Sequence, residues 1–259
     1  RWMYGYNAFR LDISPYVKSG VNEVRVLLNN QEESSRWYPG AGLYRPVTLI
    51  TAGDARIDPW ATIFKTVNLA GSKAQVYVET QATTPKGKAG ARLAVRLLDA
   101  NGRAVAQKNL TTNAQGTAAV QLNVANAKAW SPEQPYLYTL EVSLYQGNKL
   151  ADRLRQRVGI RTVAVSKEHG FQLNGQSRKF KGVCLHHDLG PLGAAVNKAA
   201  IIRQIRLMKD MGVDAIRTSH NMPSQMQMQV CDSMGMMVMA ESFDAWKEPK
   251  VKNGYNLFY

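Results

Sequence analysis

The stretch from Phe180 to Trp246 constrains the fold more than any other, because its apolar residues follow the order strand, helix, strand, helix, strand. The predicted strands cover residues 180–185, 213–217 and 236–240, and the predicted helices cover residues 197–211 and 224–234. Gly212 and Gly235 stand where the two helices should end. Strands that alternate with helices pair in parallel through right-handed crossovers. The stretch therefore predicts the first βα units of a parallel α/β fold.

Each of the three predicted strands ends in a group of polar side chains. The groups read His186-His187-Asp188, Arg217-Thr218-Ser219-His220-Asn221 and Glu241-Ser242-Phe243-Asp244-Ala245-Trp246. Parallel units place every strand's carboxyl end on the same side, so the groups should converge on one rim, where ligands bind in barrels and open sheets. One histidine or acid at such a position could simply be satisfied by local hydrogen bonds. Three successive groups favour a binding site.

The three groups resemble the opening of the catalytic (β/α)8 barrel in glycoside hydrolase family 2, where they occur in the same order with helix-sized gaps. That family contains β-galactosidases, β-glucuronidases and β-mannosidases. The resemblance implies a retaining exo-β-glycosidase that removes terminal β-linked sugars, most similar to a β-galactosidase, with the other two activities as alternatives. A non-catalytic carbohydrate-binding protein is the alternative from another functional class. It would keep the sugar contacts of the rim without the catalytic glutamates.

The rim residues are expected to contact the sugar in different ways. His186 and His220 should donate hydrogen bonds to sugar hydroxyls, and Trp246 should give an apolar face to the ring. The full set expected to bind substrate is His186, Asp188, His220, Asn221, Asp244 and Trp246, with Arg36 and Trp37 from an N-terminal loop. The supporting residues are expected to be Arg217, which neutralises the acids, together with Glu241 and His187.

No catalytic residue is predicted within the chain. Retaining glycosidases use two carboxyl groups about 5–5.5 Å apart, and the resemblance places both glutamates on later barrel strands, one of them in an Asn-Glu pair. No such pair follows Trp246, and the only one in the chain, Asn22-Glu23, lies in a predicted sandwich strand. We therefore expect a segment of a larger enzyme that has little or no hydrolase activity by itself.

Residues 1–51 are predicted to be β-structure. Alternating apolar residues predict strands at 22–28 and 43–50, separated by a loop rich in Gly and polar residues. That loop contains Arg36-Trp37-Tyr38-Pro39-Gly40-Ala41-Gly42 and resembles the loop by which the family's N-terminal jelly-roll domain reaches the barrel mouth. The resemblance implies that residues 1–51 are the C-terminal part of such a sugar-binding domain.

Residues 52–163 are predicted to form an immunoglobulin-like β-sandwich, since short alternating runs are separated by turn signals and no helical stretch intervenes. The clearest predicted strands are 74–80, 91–98, 118–124, 138–145 and 154–160. Residues 164–259 would then hold the N-terminal part of the barrel. The predicted fold class is multidomain and mainly β: a partial jelly roll, an immunoglobulin-like sandwich and the first βα units of a TIM barrel.

The net charge of +14 raises the alternative of nucleic-acid binding. The basic residues are dispersed, and the densest group, Arg153, Arg155, Arg157 and Arg161, alternates as the exposed face of a strand would. A solvated surface is therefore favoured over binding to nucleic acid or acidic glycans. The expected partner is a β-linked carbohydrate, without nucleic acid, membrane, cofactor or metal; a homo-oligomer is possible, and a periplasmic or secreted location is favoured over the cytoplasm.

Overall fold

The computed structural model describes residues 2, 4–34, 40–243, 245 and 247–258 of the 259-residue chain. Its contacts divide the chain into two compact units. The sandwich unit contains residues 48–181 and 229–237, and the rim unit contains residues 1–47, 182–228 and 238–259. No helix in the described part is long and apolar enough to cross a membrane. The domain boundaries after residues 51 and 163 stay a prediction.

The sandwich unit is built on two antiparallel four-stranded sheets. The strands are β1 (Arg56–Ile57), β2 (Ile63–Ala70), β3 (Lys73–Thr83), β4 (Arg92–Leu98), β5 (Ala104–Thr111), β6 (Thr117–Val124), β7 (Tyr138–Gln146) and β8 (Lys149–Val158). In the first sheet, β3 pairs with β1, β2 and β6, and in the second the order is β5-β4-β7-β8. The mainly β, multidomain class predicted from the sequence is confirmed.

Alternation along the strands explains why the two sheets pack face to face. Successive side chains of a strand point to opposite faces, so every second residue of β4 and β7 enters the core. The members with no exposed surface in these two strands are Leu93, Val95, Leu97, Leu140, Val142 and Leu144. On the first sheet Val76 and Val78 complete the same core.

Trp130 is an apolar anchor of the sandwich unit. Only 4% of it is exposed, and its indole Nε1 donates a hydrogen bond to the Asp232 carbonyl oxygen at 2.7 Å. The Arg161 guanidinium lies 5.4 Å from the ring centroid, and the Asn174 side chain donates to the Trp130 carbonyl at 3.0 Å. Asn174 (φ 54°) and Gly175 (φ 77°) form the turn of a small three-stranded sheet. Its strands are β9 (Val163–Ser166), β10 (Gly170–Leu173) and β11 (Gln176–Ser177).

The βα stretch forms close to where the sequence predicts it. The elements are β12 (Gly182–Leu185), α1 (Lys198–Asp210), β13 (Ala215–Thr218), α2 (Gln225–Met234) and β14 (Met237–Met239). The sheet order is β12-β13-β14, and β12 pairs with β13 in parallel. Asn197 caps α1, because its side-chain oxygen accepts from the Ala200 N–H at 3.1 Å. Short 3-10 turns lie at Gly190–Leu192 and Tyr255–Phe258.

The two strands predicted at 22–28 and 43–50 are not formed. The described residues before Arg56 contain no strand. Val24 and Leu28, which the predicted strand would place on one face, are 71% and 47% exposed. Alternation specifies which side chains share a face, but a strand also needs a neighbouring backbone to pair with.

Candidate functional site

Histidines from two strand ends meet at the rim of the parallel sheet. His186 follows β12 and His220 follows β13, and their rings meet edge to face with centroids 5.6 Å apart. Glu241, which follows β14, brings a carboxylate Oε2 within 2.9 Å of His220 Nδ1. The three predicted groups therefore converge as parallel pairing requires.

Glu241 holds this arrangement together. Its backbone N–H donates to Thr218 Oγ1 at 3.0 Å, and its Oε1 lies 3.5 Å from Arg217 Nε in an ion pair. Because a carboxylate only accepts hydrogen bonds, His220 Nδ1 must be the donor, which fixes both the ring orientation and the tautomer. Glu241 and His220 keep about a quarter of their side-chain surface exposed (28% and 25%), so a ligand can reach the pair.

Asn221 is buried at the rim and is oriented by a residue from the N-terminal segment. Only 5% of Asn221 is exposed, and its Oδ1 accepts a hydrogen bond from the Tyr4 hydroxyl at 3.0 Å. The same hydroxyl contacts the Ser242 carbonyl oxygen, and the Tyr4 ring packs edge to face on Phe243 at 5.7 Å. Tyr4 was not predicted from the sequence as a rim residue. The only sequence feature at this position is the pair of aromatic residues in Tyr4-Gly5-Tyr6, and it does not indicate which residue Tyr4 contacts.

His187 contacts an aromatic group from the N-terminal segment. Its ring meets Tyr6 edge to face at 4.9 Å and lies 6.1 Å from Tyr44. Arg45 joins the segment to the rim, donating to the Tyr6 carbonyl at 2.5 Å and to the Met222 carbonyl at 2.6 Å. Burial lowers the pKa of His187, as does the charge of Arg45, so the ring is held neutral.

Asp188 shapes the loop after β12. Its carboxylate accepts from the Gly190 N–H at 2.7 Å, and its carbonyl accepts from Gln204 of α1 at 3.3 Å. The remaining residues predicted to bind substrate lie outside the described residues; they are Arg36, Trp37, Asp244 and Trp246.

The described rim offers imidazole, amide and carboxylate groups, which suit hydrogen bonding to hydroxyls. Within the described ranges, no group of three or more His, Cys, Asp or Glu side chains is arranged to hold a metal ion. The arrangement can therefore orient a polyhydroxylated ligand through side-chain hydrogen bonds.

Comparison with known proteins gives two matches to models of one family. The model described as glycosyl hydrolases family 2 matches residues 55–161. The model described as glycosyl hydrolases family 2, TIM barrel domain, matches residues 163–248. The first match lies within the sandwich unit and the second includes the rim after β12, β13 and β14.

Similar proteins match nearly the whole chain. Beta-galactosidase BoGH2A of Bacteroides ovatus is 37% identical over 99% of this chain and 31% of its own length. A putative beta-glucuronidase of Formosa agariphila is 40% identical over 94% of this chain and 23% of its own length. The crystal structure of a family 2 member from Bacteroides cellulosilyticus superposes with a TM-score of 0.85 at 35% identity, over 98% of this chain and 34% of that one.

The chain thus spans about a quarter to a third of the length of these relatives. The two family models follow one another along the sequence, and the rim motifs lie in the second. Taken together with the mainly β sandwich and the parallel βα units, these matches establish that the chain belongs to glycosyl hydrolases family 2.

Proposed function

We propose that this chain provides the sugar-binding rim of a retaining exo-β-glycosidase. The observation that carries the proposal is the convergence of His186, His220 and Glu241 at one edge of the parallel sheet. Because its Nδ1–H is donated to Glu241, the His220 imidazole presents Nε2 as an acceptor for a sugar hydroxyl without reorganising, and such contacts strengthen as the sugar approaches its oxocarbenium-like state. The proposed substrate-binding set remains His186, Asp188, His220, Asn221, Asp244, Trp246, Arg36 and Trp37.

The sugar that we propose is a terminal β-galactoside. The described imidazole, amide and carboxylate groups of the rim suit the neutral hydroxyls of such a sugar, and the charge of Arg217 is matched by that of Glu241. The similarity to Beta-galactosidase BoGH2A supports this choice.

A β-glucuronide is the second candidate. The putative beta-glucuronidase of Formosa agariphila and the beta-glucuronidase of Felis catus, which is 34% identical over 92% of this chain, both favour it. A uronate carboxylate would need a cation facing the sugar. A β-mannoside, or carbohydrate binding without hydrolysis, remains as an alternative.

Hydrolysis of aryl glycosides tests the proposal. The full-length protein that carries this chain would be offered p-nitrophenyl β-D-galactoside, β-D-glucuronide and β-D-mannoside. We expect the galactoside to be cleaved, and His220→Ala to lower kcat/KM by about tenfold, since a hydrogen bond between neutral groups contributes up to about 1.5 kcal/mol. His169→Ala is the matched control, because His169 is exposed and belongs to the sandwich unit.

The 259-residue chain alone should show no steady turnover, because we place the two catalytic glutamates elsewhere in the protein. Steady turnover by the chain would overturn that assignment. Cleavage of the glucuronide in place of the galactoside would favour the second candidate, and sugar binding without any cleavage would favour a non-catalytic protein. Equal losses in the His220 and His169 variants would contradict the placing of the site at the rim.

A further inference from the structure

The outer face of the second sandwich sheet carries five arginines. Side chains of β4 and β7 that alternate with the buried leucines and valines point away from the core. The register places Arg96, Glu141 and Arg155 side by side across three strands. We call this surface the arginine face; its arginines are Arg92, Arg96, Arg153, Arg155 and Arg157.

Glu141 is the one acid of β4, β7 and β8 that points to the arginine face. The other acid of these strands, Asp152, accepts from the Ile57 N–H at 2.8 Å and so points toward the first sheet. Five guanidiniums against one carboxylate leave a formal charge of +4 on the face. Such an excess of positive charge would attract an anionic ligand.

The carboxylate of Glu141 also holds the arginines in place. Its Oε2 accepts from Arg155 Nε at 2.7 Å and lies 2.6 Å from a terminal nitrogen of the same guanidinium. Its Oε1 accepts from Arg96 at 3.1 Å. A guanidinium has five N–H donors, so both arginines retain donors beyond those given to Glu141, and their side chains are 59% and 41% exposed. Guanidiniums that are already ordered lose less entropy when an anion binds.

We propose that the arginine face binds a polyuronate, a polysaccharide with a carboxylate on each sugar, at a site separate from the rim. The pairing of Arg155 with Glu141 already shows a guanidinium meeting a carboxylate on this surface. Successive outward side chains of one strand are about 6.7 Å apart, so Arg153, Arg155 and Arg157 present a regular row of positive charge. The choice of a glycan rests on the proposed glycosidase function.

A nucleic acid fits this surface less well. The major groove of duplex DNA admits a helix or a two-stranded ribbon, and a face of four strands is wider than that. Single strands bind through exposed aromatic platforms. The aromatic side chain that points outward from these strands is Tyr145, and the Arg92 guanidinium lies 5.5 Å from its ring centroid.

Titration calorimetry with an oligogalacturonate at low salt tests the proposal on the 259-residue chain. The test variant is Arg153→Gln/Arg157→Gln, which leaves Arg96 and Arg155 on Glu141. We expect the double variant to raise Kd about tenfold, equivalent to about 1.4 kcal/mol. The matched control is Lys86→Gln/Lys88→Gln, which removes the same charge from exposed residues of the loop after β3 and should change Kd less than about twofold.

Two further arms distinguish the arginine face from the rim and from a general affinity for polyanions. Saturating methyl β-D-galactoside should not displace oligogalacturonate, because the arginine face and the rim are built from different residues. Binding is measured without turnover, so failure here leaves the glycosidase proposal standing, and failure of hydrolysis leaves this site standing. An equal loss of oligogalacturonate affinity in the two double variants would overturn the proposal, because it would show a nonspecific effect of charge. Duplex DNA or dextran sulfate that bound as tightly as oligogalacturonate, or an absence of oligogalacturonate binding, would overturn it as well.

Discussion

Glu141→Gln removes one negative charge from the middle of the second sandwich sheet and keeps the shape of the side chain. The Glu141 side chain is only 3% exposed and has three arginines around it. Two of them form hydrogen bonds with its carboxylate, and Arg153 Nε lies 3.9 Å away. The amide that replaces the carboxylate can accept at one oxygen only, and its NH2 group would face a guanidinium donor.

The expected loss of stability follows from the burial of the Glu141 carboxylate and from the exposure of its arginine partners. Removing one member of a buried ion pair costs about 3–5 kcal/mol. The three arginines keep 41–59% of their side-chain surface exposed, so water can hydrate them once the carboxylate is gone. The low end of the range applies, about 3 kcal/mol. With a urea slope of about 2 kcal/mol per molar, the unfolding midpoint should fall by about 1.5 M.

The difference in stability between wild type and Glu141→Gln should also depend on pH. Burial raises the pKa of Glu141, but the Arg155 hydrogen bond and the charges of the neighbouring arginines outweigh it, so the net pKa is lowered. A carboxylate with a lowered folded-state pKa contributes stability above its unfolded pKa and loses it as the pH falls through the folded value. Wild type and Glu141→Gln should therefore differ fully at pH 7 and converge in acid below about pH 4.

Urea unfolding followed by tryptophan fluorescence measures these differences. Glu168→Gln is the control, since Glu168 is exposed and the substitution changes the same charge. An unchanged midpoint in Glu141→Gln, or a difference that persists undiminished in acid, would refute the reasoning that the carboxylate is a buried, ion-paired group.

Two other substitutions test single features of each unit. Gly235→Ala should destabilise the sandwich unit by about 2–3 kcal/mol, because φ is 72° and a Cβ would overlap the Pro132 carbonyl group. The control is Gly102→Ala, which should cost only about 1 kcal/mol, because Gly102 has a similar φ of 77° but open space around it. Thermal unfolding compares the two variants. His187 has a lowered pKa, so the rim unit should lose stability as the pH falls below about 6.5, where the unfolded chain binds a proton more readily. His187→Gln should flatten that dependence between about pH 7 and pH 5, and an unaltered profile would contradict it.

The local signals in the sequence predict the βα stretch well. Asn197 caps α1 with its side chain, and Gly212 follows the helix with a φ of 85°, as the residue types indicate. His186, His220 and Glu241, one residue from each polar group, meet because each follows a strand of the same sheet. Local signals were thus sufficient to predict these elements and the meeting of the three strand ends.

Contacts between distant segments could not be predicted in the same way. Tyr4 reaches Asn221 across 217 positions, and Arg45 reaches Met222 across 177. Nothing in the spacing of aromatic or basic residues specifies such a partner. The strands predicted at 22–28 and 43–50 fail for the related reason that a pairing partner is not a property of the segment itself.

The rim is tested most directly by an NMR titration of the 259-residue chain with methyl β-D-galactoside. The chain has four histidines, of which His186, His187 and His220 lie at the rim and His169 lies in the sandwich unit. We expect the imidazole signals of His186 and His220 to shift with added sugar while that of His169 stays in place. Rim signals that stay fixed at saturating sugar, or a shift of His169 equal to theirs, would contradict the placing of a sugar site at the rim.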